Sequence, residues 1–278
     1  MFKSITGKEP AAQVIENAKK EVAKMKRKPH LVIVLVGNDP ASEIYVRKKL
    51  EKAESIGVRA TLKKFDEKTS EKEVLALVCR LNEDDDVDGF IVQAPLPKQI
   101  DQNRVLDAID PKKDVDGWTV ANLGKLTAGM SDAYLPATPA GVMKMLEFYK
   151  VPLRGKHAVV VGRSNVVGKP MALLLLAKDA TVTICHSKTQ NLANHTRNAD
   201  VIVAAAGNPK LITADMVKEG AFIIDVGTTK VGDKTVGDVD YENVIKKANC
   251  SPVPGGVGPM TVAMLISNVL DVAKRQRR

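Results

Sequence analysis

Short aliphatic runs that stop at a turn residue and give way to helical spacing constrain this chain more than any other feature. LVIVLVG (31–37) is apolar at every position before its glycine, the pattern of a strand covered on both faces. From Pro40 to Ile56 the chain carries Val46, Leu50 and Ala53 on one helical stripe, and Asp39 with Pro40 is an N-cap and N1 pair. Gly57 ends that helix, and ATLKKF reads as a second strand. SEKEVLALVCRLNE reads as a helix with Val74, Leu77, Val78 and Leu81 inward, and GFIVQ (89–93) as a third strand. The order βαβαβ predicts a parallel sheet with covering helices.

A helix-rich stretch from about Lys112 to Tyr149 follows, with Thr138 and Pro139 as a second N-cap and N1 pair before Val142, Met145, Leu146 and Tyr149. The alternation then restarts. HAVVV, a helix from about Gly168, TVTIC, a short helix, VIVAAA, TADMVKEG as a capped helix and AFIIDVG form a second α/β series. A last helix, from about Met260 to Ala273, follows the loop SPVPGGVG. The predicted fold is therefore α/β in two units, and the last helix can return to either of them.

A chain of 278 residues, 44% hydrophobic, has enough apolar surface for two such cores. Cys79, Cys185 and Cys250 are too far apart in sequence for a local disulfide framework or a C-x-x-C metal site, which fits a reduced, cytoplasmic setting. The longest aliphatic run, MALLLLA, is too short to span a bilayer, and the first residues have no apolar signal-peptide core, so no membrane partner is expected. The net charge is +9, but Lys274, Arg275, Arg277 and Arg278 supply four of those charges, leaving five for the rest of the chain. No basic stripe interleaves with aromatics, which argues against nucleic acid; a modest positive balance suits an anionic small substrate. The basic tail itself reads as a frayed, solvated end.

GRSNVVGKP (162–170) sits between a strand and a helix, where dinucleotide-binding folds place a glycine-rich turn. Gly162 suits the tight turn and Gly168 the close packing of helix on sheet, but Ser164 stands where the usual fingerprint has its second glycine. Ser164 and Asn165 offer side-chain donors in its place, and the helix N-terminus adds oriented N–H groups. The pattern is also that of an ordinary tight turn. The next strand, TVTIC, ends in His186, Ser187 and Lys188 with no acid for ribose hydroxyls; with Arg163 in the loop, this favours NADP over NAD.

SEIYVRKK puts Ser42, Tyr45 and Lys49 on one helix face, offset from the Val46/Leu50 stripe. Its plain reading is an exposed polar face with Lys49 in water. Its sharper reading needs a cleft, which Gln93 and the proline-stiffened QAPLP turn can supply at the carboxyl edge of the sheet. KKDVDGW (112–118) and PGGVGPMT (254–261) stand out in composition, although an Asx turn and a simple crossing loop explain them equally. His30, His157, His186 and His195 show no metal-ligand spacing, and no metal is expected.

Taken in order, YVRKK, VQAPLP, KKDVDGW, TPAG, GRSNVVGKP, CHSKT, IDVG and PGGVGPMT make a chain that resembles the bifunctional methylenetetrahydrofolate dehydrogenase/cyclohydrolase family nearly from end to end. With the resemblance the expected fold is α/β in two domains, an N-terminal α/β substrate domain (1–137 plus 260–278) and a Rossmann-like cofactor domain (138–259), with the substrate cleft between them. The resemblance also implies oxidation of 5,10-methylene-tetrahydrofolate by NADP, hydrolysis of the methenyl product to 10-formyl-tetrahydrofolate, and a homodimer through the cofactor domain. It implies Lys49, Tyr45, Gln93 and Asp116 as catalytic residues, with Asp116 on the pterin edge, Tyr45 stacked along the substrate and Gln93 positioning Lys49. Ser42, Pro254, Gly255, Gly256, Val257 and Thr261 would line the substrate cleft. Gly162, Arg163, Ser164, Val167, Gly168, His186, Ser187 and Thr228 would meet the cofactor. Ala94 and Ala137 replace a leucine and a frequent cysteine of the family pattern, and Trp118 is bulkier than usual there; altered fit or rate is expected, and function retained. Two rival readings are an NADP-dependent dehydrogenase of another substrate class, which the Tyr45, Lys49 and Gln93 set opposes, and a nucleotide-binding protein without catalysis.

Overall fold

The structure, a computed structural model, describes residues 2–232 and 234–277. The chain divides into two compact units, one of Gln13–Ala137 with Val262–Arg278 and the other of Met1–Ala12 with Thr138–Thr261. The first residues stand with the second unit because Ser4 bridges to Cys250: Ile5 N–H donates to the Cys250 carbonyl at 2.9 Å, and Gly7 N–H to the Gly255 carbonyl at 3.0 Å.

Through the first part of the chain run α1 (Lys8–Lys24), β1 (His30–Val36), α2 (Pro40–Ser55), β2 (Arg59–Phe65), α3 (Glu71–Glu83), β3 (Gly89–Val92), α4 (Gln102–Asp107) and α5 (Val120–Thr127). The strands form a parallel sheet in the order β2-β1-β3. The aliphatic run of β1 serves both faces. Leu31, Ile33 and Leu35 pack into one core with Val46 and Ala53, while Val32, Val34 and Val36 pack into another with Val74, Leu77, Val78 and Leu81. Asp39 caps α2 by accepting from Ser42 N–H, and Ser70 with Glu73 forms a capping box on α3. The helix α1 was not among the sequence-predicted elements.

The later part contains α6 (Ala137–Phe148), β4 (His157–Val161), α7 (Gly168–Leu176), β5 (Thr181–Cys185), α8 (Leu192–Thr196), β6 (Val201–Ala204), β7 (Phe222–Asp225), β8 (Thr229–Val231), β9 (Lys234–Val236), α9 (Tyr241–Val244), β10 (Asn249–Cys250) and α10 (Val257–Arg275). Five of these strands form a parallel sheet in the order β10-β7-β6-β4-β5, and β8 and β9 form an antiparallel hairpin. From β4 the chain goes to β5 on one side and then crosses to β6 on the other. That reversal makes the carboxyl ends of β4 and β6 the topological switch point, where open α/β sheets bind ligands.

Several boundaries differ from the sequence reading. TADMVKEG is only a 3-10 turn, Ala214–Met216, whose preceding Thr213 donates its hydroxyl to Asp215 at 2.6 Å in place of capping a helix. Thr138 lies inside the first turn of α6, with its hydroxyl 3.0 Å from that of Thr261. The last helix starts three residues earlier than predicted, at Val257. It is long and apolar enough to cross a membrane, yet 67% of its apolar window is buried, and Leu265, Ile266, Val269, Leu270 and Val272 belong to the core beneath β1. The basic tail is docked, not frayed. Lys274 donates to Glu21 at 2.6 Å, the Arg275 guanidinium lies 4.6 Å over the Tyr134 ring, and Arg277 donates at 2.7 Å to both oxygens of Asp88, which is fully buried. Arg278 lies outside the described residues.

Candidate active site

Lys49 occupies the third turn of α2, and only 7% of its surface is exposed. The solvated reading of this residue is therefore overturned. Its ammonium group donates to Gln93 Oε1 at 3.0 Å. Gln93 follows β3 directly: its N–H donates to the Val34 carbonyl at 2.8 Å, and its own amide Nε2 donates to the Ala94 carbonyl at 2.7 Å. Both ends of the side chain are thus engaged, which leaves Oε1 aimed at the lysine. The next peptide bond, Ala94–Pro95, is cis, as is Val253–Pro254.

Asp116 is brought to the same unit by the loop 112–118, which runs beside β3 like a further short strand. Phe90 N–H donates to the Lys113 carbonyl at 3.1 Å, and Phe90 bridges in parallel to Asp114. The two acids of D-V-D-G have different tasks. Asp114 accepts from Trp118 N–H at 3.2 Å, Thr119 N–H at 2.8 Å and Asn122 Nδ2 at 2.9 Å, so it folds the loop through partners four to eight residues on, a wider span than the Asx turn of the sequence reading. Asp116 is buried without such a cage. Gly117 turns the chain at φ +68°, and a side chain there would strike the carbonyl of Tyr134. Asn268 on α10 holds the loop from its far side, donating to the carbonyls of Val115 at 2.8 Å and Leu135 at 2.9 Å.

Burial drives the electrostatics. It pushes the Lys49 amine below the ordinary lysine range, with the nearby Asp116 charge opposing the shift, and it pushes the Asp116 carboxyl above the ordinary range, with Lys49 opposing. A buried amine near a buried acid, each moved toward its neutral form, is suited to proton transfer. Ser42 is buried on the same helix, whereas Tyr45 is 36% exposed, with Lys48 Nζ 5.8 Å from its ring centroid.

The second unit carries the other predicted residues. Gly162 adopts φ +141°, and a side chain on it would strike the Ala205 carbonyl; one on Gly168 would strike the Gly162 carbonyl. Both glycines are demanded by close packing. Ser164 closes the turn that leads into α7: its Oγ accepts from Val167 N–H at 3.1 Å and Gly168 N–H at 3.4 Å. Those two N–H groups are consequently not open to a ligand, but the hydroxyl proton of Ser164 remains available to donate. Arg163, Ser164 and Asn165 are exposed around the turn. At the end of β5, His186 Nδ1 accepts from Lys188 N–H at 3.1 Å and His186 N–H donates to Thr189 Oγ1 at 2.8 Å, leaving Ser187 on the outside of a tight loop; Thr228 is exposed after β7. The loop after β5 carries no acid, so the residues present there fit a phosphorylated dinucleotide. Pro254, Gly255, Gly256, Val257 and Thr261 also belong to this unit, with Gly255 at φ +102° and Val257 opening α10.

Residues 5–116 match the model of the tetrahydrofolate dehydrogenase/cyclohydrolase catalytic domain, and residues 136–277 match that of the NAD(P)-binding domain of the same family. The chain belongs to the tetrahydrofolate dehydrogenase/cyclohydrolase family. It is accordingly an enzyme with a folate-converting catalytic domain and an NAD(P)-binding domain. The bifunctional protein FolD of a Nitratiruptor species is 48% identical over 279 residues, 99% of each chain. The crystal structure of the bifunctional FolD enzyme of Campylobacter jejuni superposes with a TM-score of 0.97 at 44% identity, over 99% of this chain and all of the other. The Trypanosoma brucei FolD structure, a complex with NADP cofactor and inhibitor, superposes at 0.96 with 37% identity over 100% and 99%. Asn122 and Asn268 are supports of the folate unit that the sequence reading did not single out. A lone asparagine in the apolar run MLISNVL was the available signal for Asn268, since a buried amide needs partners.

Proposed function

We propose that the unit Gln13–Ala137 with Val262–Arg278 converts folate, that the unit containing 138–261 holds NADP, and that Lys49 is the proton-transfer residue of the cyclohydrolase step. The enzyme oxidises 5,10-methylene-tetrahydrofolate with NADP and hydrolyses the 5,10-methenyl product to 10-formyl-tetrahydrofolate. The single observation that carries the role of Lys49 is its burial with one defined acceptor, Gln93 Oε1 at 3.0 Å.

NADP, when bound, supplies the acceptor for the hydride. Arg163, Ser164 and Ser187 take its phosphates, with Gly162, Val167, Gly168, His186 and Thr228 shaping the pocket. The dehydrogenase step needs alignment above all. In hydrolysis, a water oxygen bonds to the methenyl carbon and its proton passes to the free amine of Lys49. The bond from that carbon to the ring nitrogen then breaks, the nitrogen is protonated, and the carbon is left as the formyl group; one proton is released overall. Gln93 aims the amine, Asp116 accepts from the pterin edge, Tyr45 covers the substrate, and Ser42 adds to the same surface.

We further infer a homodimer formed through the cofactor unit. Its support is β5, the last strand of the five-stranded sheet, with Ile184 on it 42% exposed and Leu176 at the end of α7 59% exposed. A cytoplasmic location accords with three unpaired cysteines.

The test follows reduced cofactor and the methenyl species together, with 5,10-methylene-tetrahydrofolate and NADP. The wild type should reduce NADP without lasting methenyl accumulation. Lys49→Met should lose about 10²-fold or more in methenyl hydrolysis while its affinity for NADP stays within about twofold. Equal hydrolysis by wild type and variant would remove Lys49 from the mechanism.

A further inference from the structure

Two buried acids of the cofactor unit have no part in the chemistry above. Asp238 is fully buried and Asp225 is 2% exposed. Asp238 accepts from three consecutive backbone N–H groups: Ala206 at 2.6 Å, Gly207 at 3.0 Å and Asn208 at 2.8 Å. These three residues form the loop that leaves β6. A row of successive N–H groups is an anion-binding nest, and here the protein fills it with its own carboxylate. Asp225, at the end of β7, holds Asp238 in turn. Its Oδ1 accepts from Asp238 N–H at 2.9 Å and Gly227 N–H at 3.0 Å, and its Oδ2 accepts from Val239 N–H at 2.9 Å. Ser251 Oγ receives the Asp225 N–H at 2.7 Å.

Two glycines interleave with the acids. A side chain on Gly227 would strike the Asp238 carboxylate, and one on Gly237 would strike Asp225. Thr229 links the two loops by donating its hydroxyl to the Gly207 carbonyl at 3.4 Å. The loop of Ala206–Asn208 lies next to the Gly162 turn, because Ala205 N–H donates to the Val161 carbonyl at 2.8 Å and the Ala205 carbonyl packs against Gly162. The loops that Asp238 and Asp225 fix therefore follow β6 and β7, across the switch point from the Gly162–Gly168 turn.

We propose that Asp238 and Asp225 are positioning residues for the cofactor: they hold the loops 206–208 and 227–229 as the second wall of the NADP crevice, opposite the Gly162–Gly168 turn. This rests on the placement of NADP at that turn. Burial pushes the Asp225 carboxyl up to about 6 despite its three N–H partners. A fold that keeps such a group at a switch point keeps it for the geometry of the loops, since an apolar residue would serve packing alone. Because the nest of 206–208 is already filled, the cofactor phosphates are directed to Arg163, Ser164 and Ser187.

The bifunctional enzyme provides its own control, since methenyl hydrolysis uses no oxidised cofactor. The full-length Asp238→Asn variant should show KM and Kd for NADP raised by roughly tenfold or more, with hydrolysis of added methenyl-tetrahydrofolate within about twofold of wild type. Gly207→Ala leaves both acids in place, has open space for its methyl, and strains a backbone at φ +65°; it should weaken NADP in the same direction. A merely structural role predicts instead that both activities of Asp238→Asn fall together while surviving protein binds NADP normally, and that Gly207→Ala is silent. That result would overturn the proposal. Arg163→Ala separates the two levels of inference. If it leaves NADP affinity unchanged, the placement of the cofactor fails; if it weakens NADP while Asp238→Asn and Gly207→Ala do not, only the positioning role fails.

Discussion

Lys49 illustrates how a side chain usually found in water is fitted for the proton-transfer role proposed for it. The cost of burying its charge lowers its proton affinity, and Gln93 accepts one hydrogen bond without neutralising it, so the free amine is reached at lower pH than for an ordinary lysine. The sign is definite: as pH rises through the depressed value, the proton-accepting form grows. Cyclohydrolase rates with saturating methenyl substrate should therefore rise with pH and level off below the ordinary lysine range, and the rise should be absent from the residual activity of Lys49→Met. A pH profile of the two proteins in the same buffers checks this; a wild-type rate that keeps climbing to the ordinary lysine range would contradict it.

Among the elements, the D-V-D-G loop depends most on its surroundings. Gly117 combines a positive φ with a close approach to the Tyr134 carbonyl, so Gly117→Ala should destabilise the protein by more than about 1 kcal/mol and reduce both folate activities through Asp116. Thermal unfolding with parallel assays reads both effects. Elements with strong periodicity were legible from residues alone: α3 lies where the inward stripe of Val74, Leu77, Val78 and Leu81 puts it, and β1 where its unbroken aliphatic run does. TADMVKEG carried a helix-start signal but too little apolar periodicity to extend beyond Ala214–Met216. The helix face of Ser42, Tyr45 and Lys49 was legible as a set, but not the burial of Lys49, because that side chain is covered by chain distant in sequence. Nor does the sequence pattern of GRSNVVGKP reveal that Ser164 spends its lone pairs on the N-terminus of α7.

For the molecule as a whole, the open edge of the five-stranded sheet is the feature with the most direct solution consequence. If β5 pairs two copies, Ile184→Lys should shift the protein toward monomer while leaving each unit folded, because Ile184 is exposed within a single chain. Sedimentation at several concentrations would detect the shift, and an unchanged mass would place the contact elsewhere. The interleaved acids and glycines beside the other sheet strands bear on how this chain can vary. Gly227 has room for nothing because Asp238 lies against it, and Gly237 has room for nothing because Asp225 does. A side chain added at either glycine collides with the acid opposite it, so bulk can enter there only if that acid gives way as well. Each glycine is thus coupled to its acid, and a single enlarging step at either one is closed to the chain unless a second step accompanies it.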